Sequence, residues 1–301
     1  MNTGARGALA AHRADAIMRA VFFGCGLFSI LITVGIVAVL VLEAAPFFKN
    51  VSVFTFLTDT EWTPLFAQKR FGVLPLLCGT LLTSAIAMCV ALPAGITVGI
   101  YLSEFASPLV RTVIKPALEV LAGVPTLVYG YFALFVVTPT LQILFPSLPG
   151  FNALSAGLVM GFMILPMVAS LSEDAIFSVP KALKEGAYAL GASKMQTTLS
   201  VVVPAASGGI IAAVILAMAR AVGETMIVAI AAGQQPTLTL NPFAAIETMT
   251  AYIVQVSLGD TPHGTLEFHT IFAVGLALFC ITLVLNSASL LLRRKIRRGH
   301  G

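Results

Sequence analysis

The sequence predicts an all-α integral membrane protein, a bundle of six transmembrane helices. Hydrophobic residues make up 58% of the 301 residues and charged residues only 10%, against about a quarter charged in soluble domains. Mean hydropathy is +0.99. The apolar residues gather into six runs, each near the ~20 residues needed to cross a hydrocarbon core of about 30 Å. The chain has room for these spans and their loops, but not for a nucleotide-binding domain as well. Its net charge of +4 does not indicate nucleic acid, because the basic residues sit at span edges.

Residues 1–20 are a short tail carrying Arg6, Arg13 and Arg19. A domain of six spans then fills 21–292. Its first span, about 21–42, is uncharged and too long for the apolar core of a signal peptide. No convincing A-x-A site follows, so it is expected to stay as an anchor. Residues 43–72 interleave Phe54, Phe56, Trp62 and Phe66 with Asp59, Glu61, Lys69 and Arg70, and Trp62 is expected at the interfacial belt. The second span, 73–102, exceeds one straight crossing, so a tilt or a kink near Pro93 is expected. Residues 103–116 read as a polar loop with Glu104, Arg111 and Lys115.

The third span, 120–141, starts loosely at Gly123 and Pro125, and an uncharged turn follows. The fourth, 154–171, contains Pro166 and leads through Glu173 and Asp174 into a polar island at 178–204. The fifth, 208–233, alone carries charges inside. A long polar loop with Glu247, Asp260 and Glu267 precedes the sixth, 270–292, and residues 293–301 are a basic tail, RRKIRR and beyond.

The polar island reads as two short helices joined at a glycine. Pro180 suits a helix start, and residues 181–190 contain good helix formers. Gly191 stands where a helix C-terminus favours positive φ. Ser193 and Gln196 have the spacing of a capping box that starts the second helix, and Pro204 is expected to close it. With the N-terminus inside, thirteen of the seventeen Lys and Arg residues fall on the cytoplasmic side and three outside. Lys and Arg bias therefore places both termini and the island in the cytoplasm.

The remaining basic residue, Arg220, lies within the fifth span, about 18 Å along it at 1.5 Å per residue. Glu224 is expected one turn further on the same face. An arginine at mid-membrane costs at least ~2.5–3.5 kcal/mol, so it must face protein or water and is a functional candidate. The alternative is an ion pair that fixes how spans pack. The order Arg then Glu is the weaker one for helix stabilisation alone.

The spacing Glu185-Gly186-Ala187, Gly191, Val201, Val203-Pro204 resembles the EAA loop of ABC-importer permeases, with Gly186 for the first alanine and valines for isoleucine and leucine. An ordinary amphipathic loop is the alternative. Further segments resemble permeases of the phosphate-specific (Pst) importer: Phe56-Leu57-Thr58 with Thr60-Glu61-Trp62-Thr63-Pro64, and Phe71 to Pro75. So do Tyr101 to Glu104, Leu118 to Pro125, and Arg220 to Thr225. The long first outside loop is similar to that of the C-type permease (PstC-like). The resemblance implies a type I ABC-importer permease (MetI-like) fold in a bacterial inner (plasma) membrane. It also implies a second permease (PstA-like), two ATPase subunits (PstB-like) and a periplasmic phosphate-binding protein (PstS-like). Glu185, Gly186, Ala187, Gly191 and Pro204 would then couple to the ATPases, which bind the ATP. No cofactor is expected in this chain, and no catalysis.

Arginine's planar fork suits phosphate oxygens, so Arg220 and Glu224 are the candidate substrate-pathway residues. Two roles fit Glu224: neutralising Arg220 when the path is empty, or accepting a hydrogen bond from a protonated phosphate while repelling sulfate. Phosphonate, molybdate or sulfate is the alternative cargo, and a secondary transporter or channel gated by the Arg220–Glu224 pair the alternative class. The stretch Gly186–Ser193 lacks a phosphate-loop lysine. Cys25, Cys78, Cys89 and Cys280 lie in apolar runs, and His12, His263, His269 and His300 are scattered, so no metal is expected. Glu119 reads as a cap or interfacial residue, and the terminal basic run as an anionic-lipid contact.

Overall fold

The computed structural model describes the backbone of residues 3–298 and the side chains of residues 17–288. The side-chain expectations for Arg6, Arg13, His12, His300 and the terminal RRKIRR run lie outside the described residues. Helix α1 (Thr3–Asn50) is followed by the short α2 (Val53–Thr58), whose N-cap Ser52 accepts from Thr55 N–H. Helix α3 (Leu74–Ile100) continues through a π turn, Tyr101–Phe105. Then come α4 (Pro108–Ala122), α5 (Thr126–Phe132), a π turn at Ala133–Val137, and α6 (Thr138–Leu144). Helix α7 (Ala153–Phe177) leads to α8 (Lys181–Ala189) and α9 (Lys194–Thr197). A third π turn, Thr198–Val202, runs into α10 (Val203–Val222). The chain ends with α11 (Met226–Ala231), α12 (Met249–Leu258) and α13 (Leu266–Arg298).

Among the described residues, six helical stretches are long and apolar enough to cross a membrane: Ile17–Asn50, Leu74–Phe105, Thr126–Leu144, Ala153–Phe177, Lys194–Val222 and Leu266–Ala288. The six expected spans are all present, with altered limits. Residues 108–122 form α4, not a loop. Ser107 caps it by accepting from Val110 N–H, and Pro125 blocks its continuation, so the third span starts at Thr126. The fourth span runs past 171 and takes Glu173 and Asp174 into its last turns.

Pro204 does not end a helix. It occupies the first turn of α10, directly after the π turn in which Val203 N–H reaches back five residues to Thr198 O. That wider turn absorbs the proline ring, which would otherwise clash with the preceding turn. The same arrangement precedes Pro139.

The seam of the bundle lies between α3 and α7. A Cβ on Gly157 would sit 2.7 Å from Ile86 Cβ, and one on Gly99 would sit 2.9 Å from Ala169 O. Small residues here let two backbones approach, the usual basis of helix association without a hydrophobic driving force. Ala87, Ala91, Ala156, Met160, Ile164 and Val168 fill the contact and are buried.

At the end opposite the 178–204 loop, the structure corrects the expectation for Trp62. The indole is buried rather than set in a lipid-facing belt. Gly72 N–H donates to Glu61 O and Thr63 N–H to Arg70 O, so residues 59–72 fold back on the bundle. Trp62 meets Phe56 edge-on at 6.2 Å and Tyr252 of α12 at 5.0 Å, while Phe47 of α1 meets Phe56 at 5.7 Å and Phe71 at 5.4 Å. Each such pair adds ~0.5–1.5 kcal/mol beyond area burial.

Candidate functional site

Arg220 lies on the last turn of α10 and Glu224 just beyond it. The expected helical pair is not formed, because the helix stops between them at Gly223. Glycine costs about 1 kcal/mol in a helix interior, and Glu224 turns to the next helix. Its Oε1 accepts from Met226 N–H at 3.1 Å and Ile227 N–H at 3.3 Å, so the carboxylate caps α11. A carboxylate at a helix N-terminus is favourably placed. Thr250 Oγ1 donates to Glu224 O at 2.6 Å, tying the break to α12. Non-helical backbone at this depth is tolerated because these bonds satisfy it inside the protein.

Arg220 is left apart. Its guanidinium is exposed on the face of the chain, and Nη2 lies 3.4 Å from Met163 Sδ. Among the described residues, no carboxylate comes within ion-pair distance of it. Met163 sits ten residues into α7, so the guanidinium is level with a point ~15 Å along that helix. The expected pairing of Arg220 with Glu224 is not formed. Four N–H donors of the guanidinium remain for a ligand or a neighbouring subunit.

A second buried carboxylate escaped sequence reasoning. Glu247, expected in a polar loop, is buried, and burial pushes its carboxyl up to about 8. Its Oε1 has no hydrogen-bond partner among the described residues. Gly79 accepts the close approach of this segment: a Cβ there would fall 2.3 Å from Glu247 O. Met249 N–H donates to Thr80 Oγ1 at 3.0 Å. The signal in the sequence was that Glu247 is the sole charge between Gln235 and Gly259.

In the 178–204 loop the expected geometry is present. Gly191 has φ +82°. Ser193 Oγ accepts from Gln196 N–H, and Gln196 Oε1 accepts from Ser193 N–H, completing the capping box. Glu185 and Gly186 are exposed, Ala187 is half-buried, and Leu190 beside the glycine is 90% exposed. Above the loop, Glu173 is wholly buried between Arg111 at 2.6 Å and Lys115 at 3.2 Å. Lys115 also reaches Asp174 at 3.3 Å. Burial acts to lower the Lys115 pKa, but Glu173 and Asp174 outweigh it and hold the ammonium above its ordinary value. This clamp joins α4 to α7, bringing together residues that the sequence pattern places in separate loops.

A family model described as "binding-protein-dependent transport system inner membrane component" matches residues 91–298. The phosphate transport system permease protein PstC of Mesorhizobium japonicum is 37% identical over 261 residues, covering 80% of this chain and 79% of that protein. The probable ABC transporter permease protein YqgH of Bacillus subtilis is 35% identical over 266 residues, 88% of this chain and 86% of that protein. Among solved structures, a bacterial ABC transporter involved in alginate import aligns with a TM-score of 0.60 at 17% identity. That match covers 85% of this chain and 87% of that one. The MetNI methionine ABC transporter, in an inward-facing conformation, aligns at 0.54 and 17% identity, covering 75% and 94%. By its fold and its relatives, the chain belongs to the family of inner membrane components of binding-protein-dependent transport systems, the multi-pass permease subunits of ABC importers.

Proposed function

We propose that this chain is the C-type permease of an ATP-driven importer that carries inorganic phosphate into the cytoplasm by alternating access. The observation that carries the reading is Arg220, a guanidinium inside the fifth span with no carboxylate of the described residues paired to it. An oxyanion crossing a low-dielectric layer needs such a group, and the planar fork offers it paired donors. The phosphate transport permeases among its relatives support the choice of cargo.

In this reading the substrate arrives from a PstS-like binding protein and passes between this chain and a PstA-like permease. Two PstB-like ATPases bind the ATP, and one of them seats on the exposed loop around Glu185, Gly186, Ala187 and Gly191. That loop, with both termini, is cytoplasmic, and the chain itself carries no cofactor. Pro204 anchors the loop to α10 through the π turn before it. Glu224 holds α11 with Oε1 and has Oε2 to accept a proton-bearing phosphate oxygen.

Uptake of radiolabelled phosphate decides it, in cells lacking this chain and every other high-affinity phosphate system, re-supplied with wild type or Arg220→Ala. Rescue by wild type alone, indifferent to excess sulfate, is the expected result. Uptake that follows sulfate or molybdate instead would assign another oxyanion. Normal transport by an assembled Arg220→Ala complex would make the arginine structural.

A further inference from the structure

The 178–204 loop is covalently joined only to α7 and α10, yet it is gripped by a third span. Glu104 and Phe105, consecutive residues of the π turn that ends α3, take hold of its two arms separately. Lys184 on α8 pairs with Glu104, whose side chain is 6% exposed, while Lys184 itself is 20% exposed. Lys194 at the start of α9 stands over the Phe105 ring, 5.1 Å from its centroid. The two lysines lie on opposite sides of Gly191, where the loop turns. Ser103 Oγ also donates to Glu104 Oε1 at 3.3 Å, orienting the carboxylate.

We infer that Glu104 and Phe105 form a transmission grip, through which displacement of the coupling loop is passed to α3 as well as to its covalent neighbours. The inference rests on the reading of 178–204 as the ATPase-docking loop. The physical grounds are three. An ion pair this dry is directional and stiff, because pulling the lysine away would leave a nearly buried carboxylate uncompensated. Just before the grip, α3 is locked to α7: a Cβ at Gly99 would meet Ala169 O, Ser172 Cβ and Glu173 N at about 3 Å. A pull on Glu104 therefore moves the α3–α7 pair rather than one side chain. Finally, the grip sits on a π turn, and such turns cluster at functional positions.

The test uses the whole complex, with both permeases, the ATPases and the binding protein reconstituted in liposomes. Phosphate uptake and ATP hydrolysis are recorded together, and assembly is checked by co-purification. Glu104→Gln is expected to lower phosphate moved per ATP roughly five- to tenfold, within the usual range of coupling between sites, while ATP hydrolysis continues. The charge exchange Glu104→Lys with Lys184→Glu is expected to restore the ratio to within about twofold of wild type. A merely structural pair would lower assembly and leave the ratio unchanged in complexes that form, and that result overturns the inference. So does an exchange variant that assembles but stays uncoupled. Should Glu104→Gln not assemble, the exchange alone decides. Wild-type complexes that hydrolyse ATP without moving phosphate would instead overturn the proposed cargo.

Discussion

The two ends of the bundle bury different groups, aromatic rings at one and carboxylates with their cationic partners at the other. At the end with α2 and α12, Phe47, Phe56, Trp62, Phe71 and Tyr252 meet edge-on with little solvent between them. At the end with the 178–204 loop, Arg111, Lys115, Glu173, Glu104 and Lys184 are joined by charge. Aromatic packing is short-ranged and has no alternative partner, so it holds one arrangement. Ion pairs between partly exposed lysines and buried carboxylates are directional, so a displacement of one partner is passed to the other. One end is built to stay, and the other is built to be moved.

Breaking the aromatic end should have the largest effect on stability. Trp62→Ala is expected to lower it by ~3–5 kcal/mol through cavity formation, seen as a drop in Tm in detergent. Surviving complexes should keep their phosphate-per-ATP ratio, and a changed ratio would contradict the division of labour. At the charged end, Arg111→Ala should cost about 2 kcal/mol, less than the ~3–5 of a fully broken buried pair because Lys115 remains. Unlike Trp62→Ala, it should also disturb coupling.

A third prediction concerns pH. The Glu247 carboxyl, pushed up to about 8 by burial, binds its proton more tightly in the folded state than in the unfolded chain. Its contribution to stability is fully present below the ordinary carboxylate value and is lost as pH rises through about 8. The slope cannot exceed about 1.4 kcal/mol per pH unit. Tm should therefore fall between pH 6 and 9 in wild type and vary less in Glu247→Gln; equal slopes would refute the burial argument. The smallest effect belongs to Ser193→Ala, which removes one capping-box bond for about 1 kcal/mol. It should show as faster amide exchange in α9 with little change in global Tm.

Composition and local pattern made much of this legible. The six spans follow from apolar run length. The Gly191 turn and the Ser193–Gln196 box follow from backbone chemistry within four residues. The place of Arg220 inside the fifth apolar run follows from counting along one helix. What escaped involves residues far apart in the chain. Glu173 looked like a loop carboxylate because its partners, Arg111 and Lys115, lie some sixty positions earlier. Glu224 looked like a helical partner of Arg220 because the competing donors, Met226 and Ile227 N–H, exist only once the helix has broken.

Residue order alone specifies a six-span helical membrane protein, the shape of its 178–204 loop and the place of an arginine within its fifth span. These are consequences of transfer energy and local hydrogen bonding, which act along the chain. Tertiary structure decided which charges meet, where the fifth span breaks, and that Trp62 and Glu247 lie inside. The reason is that burial is a property of neighbours: a carboxylate or an indole is paired, wet or dry according to what distant segments bring against it.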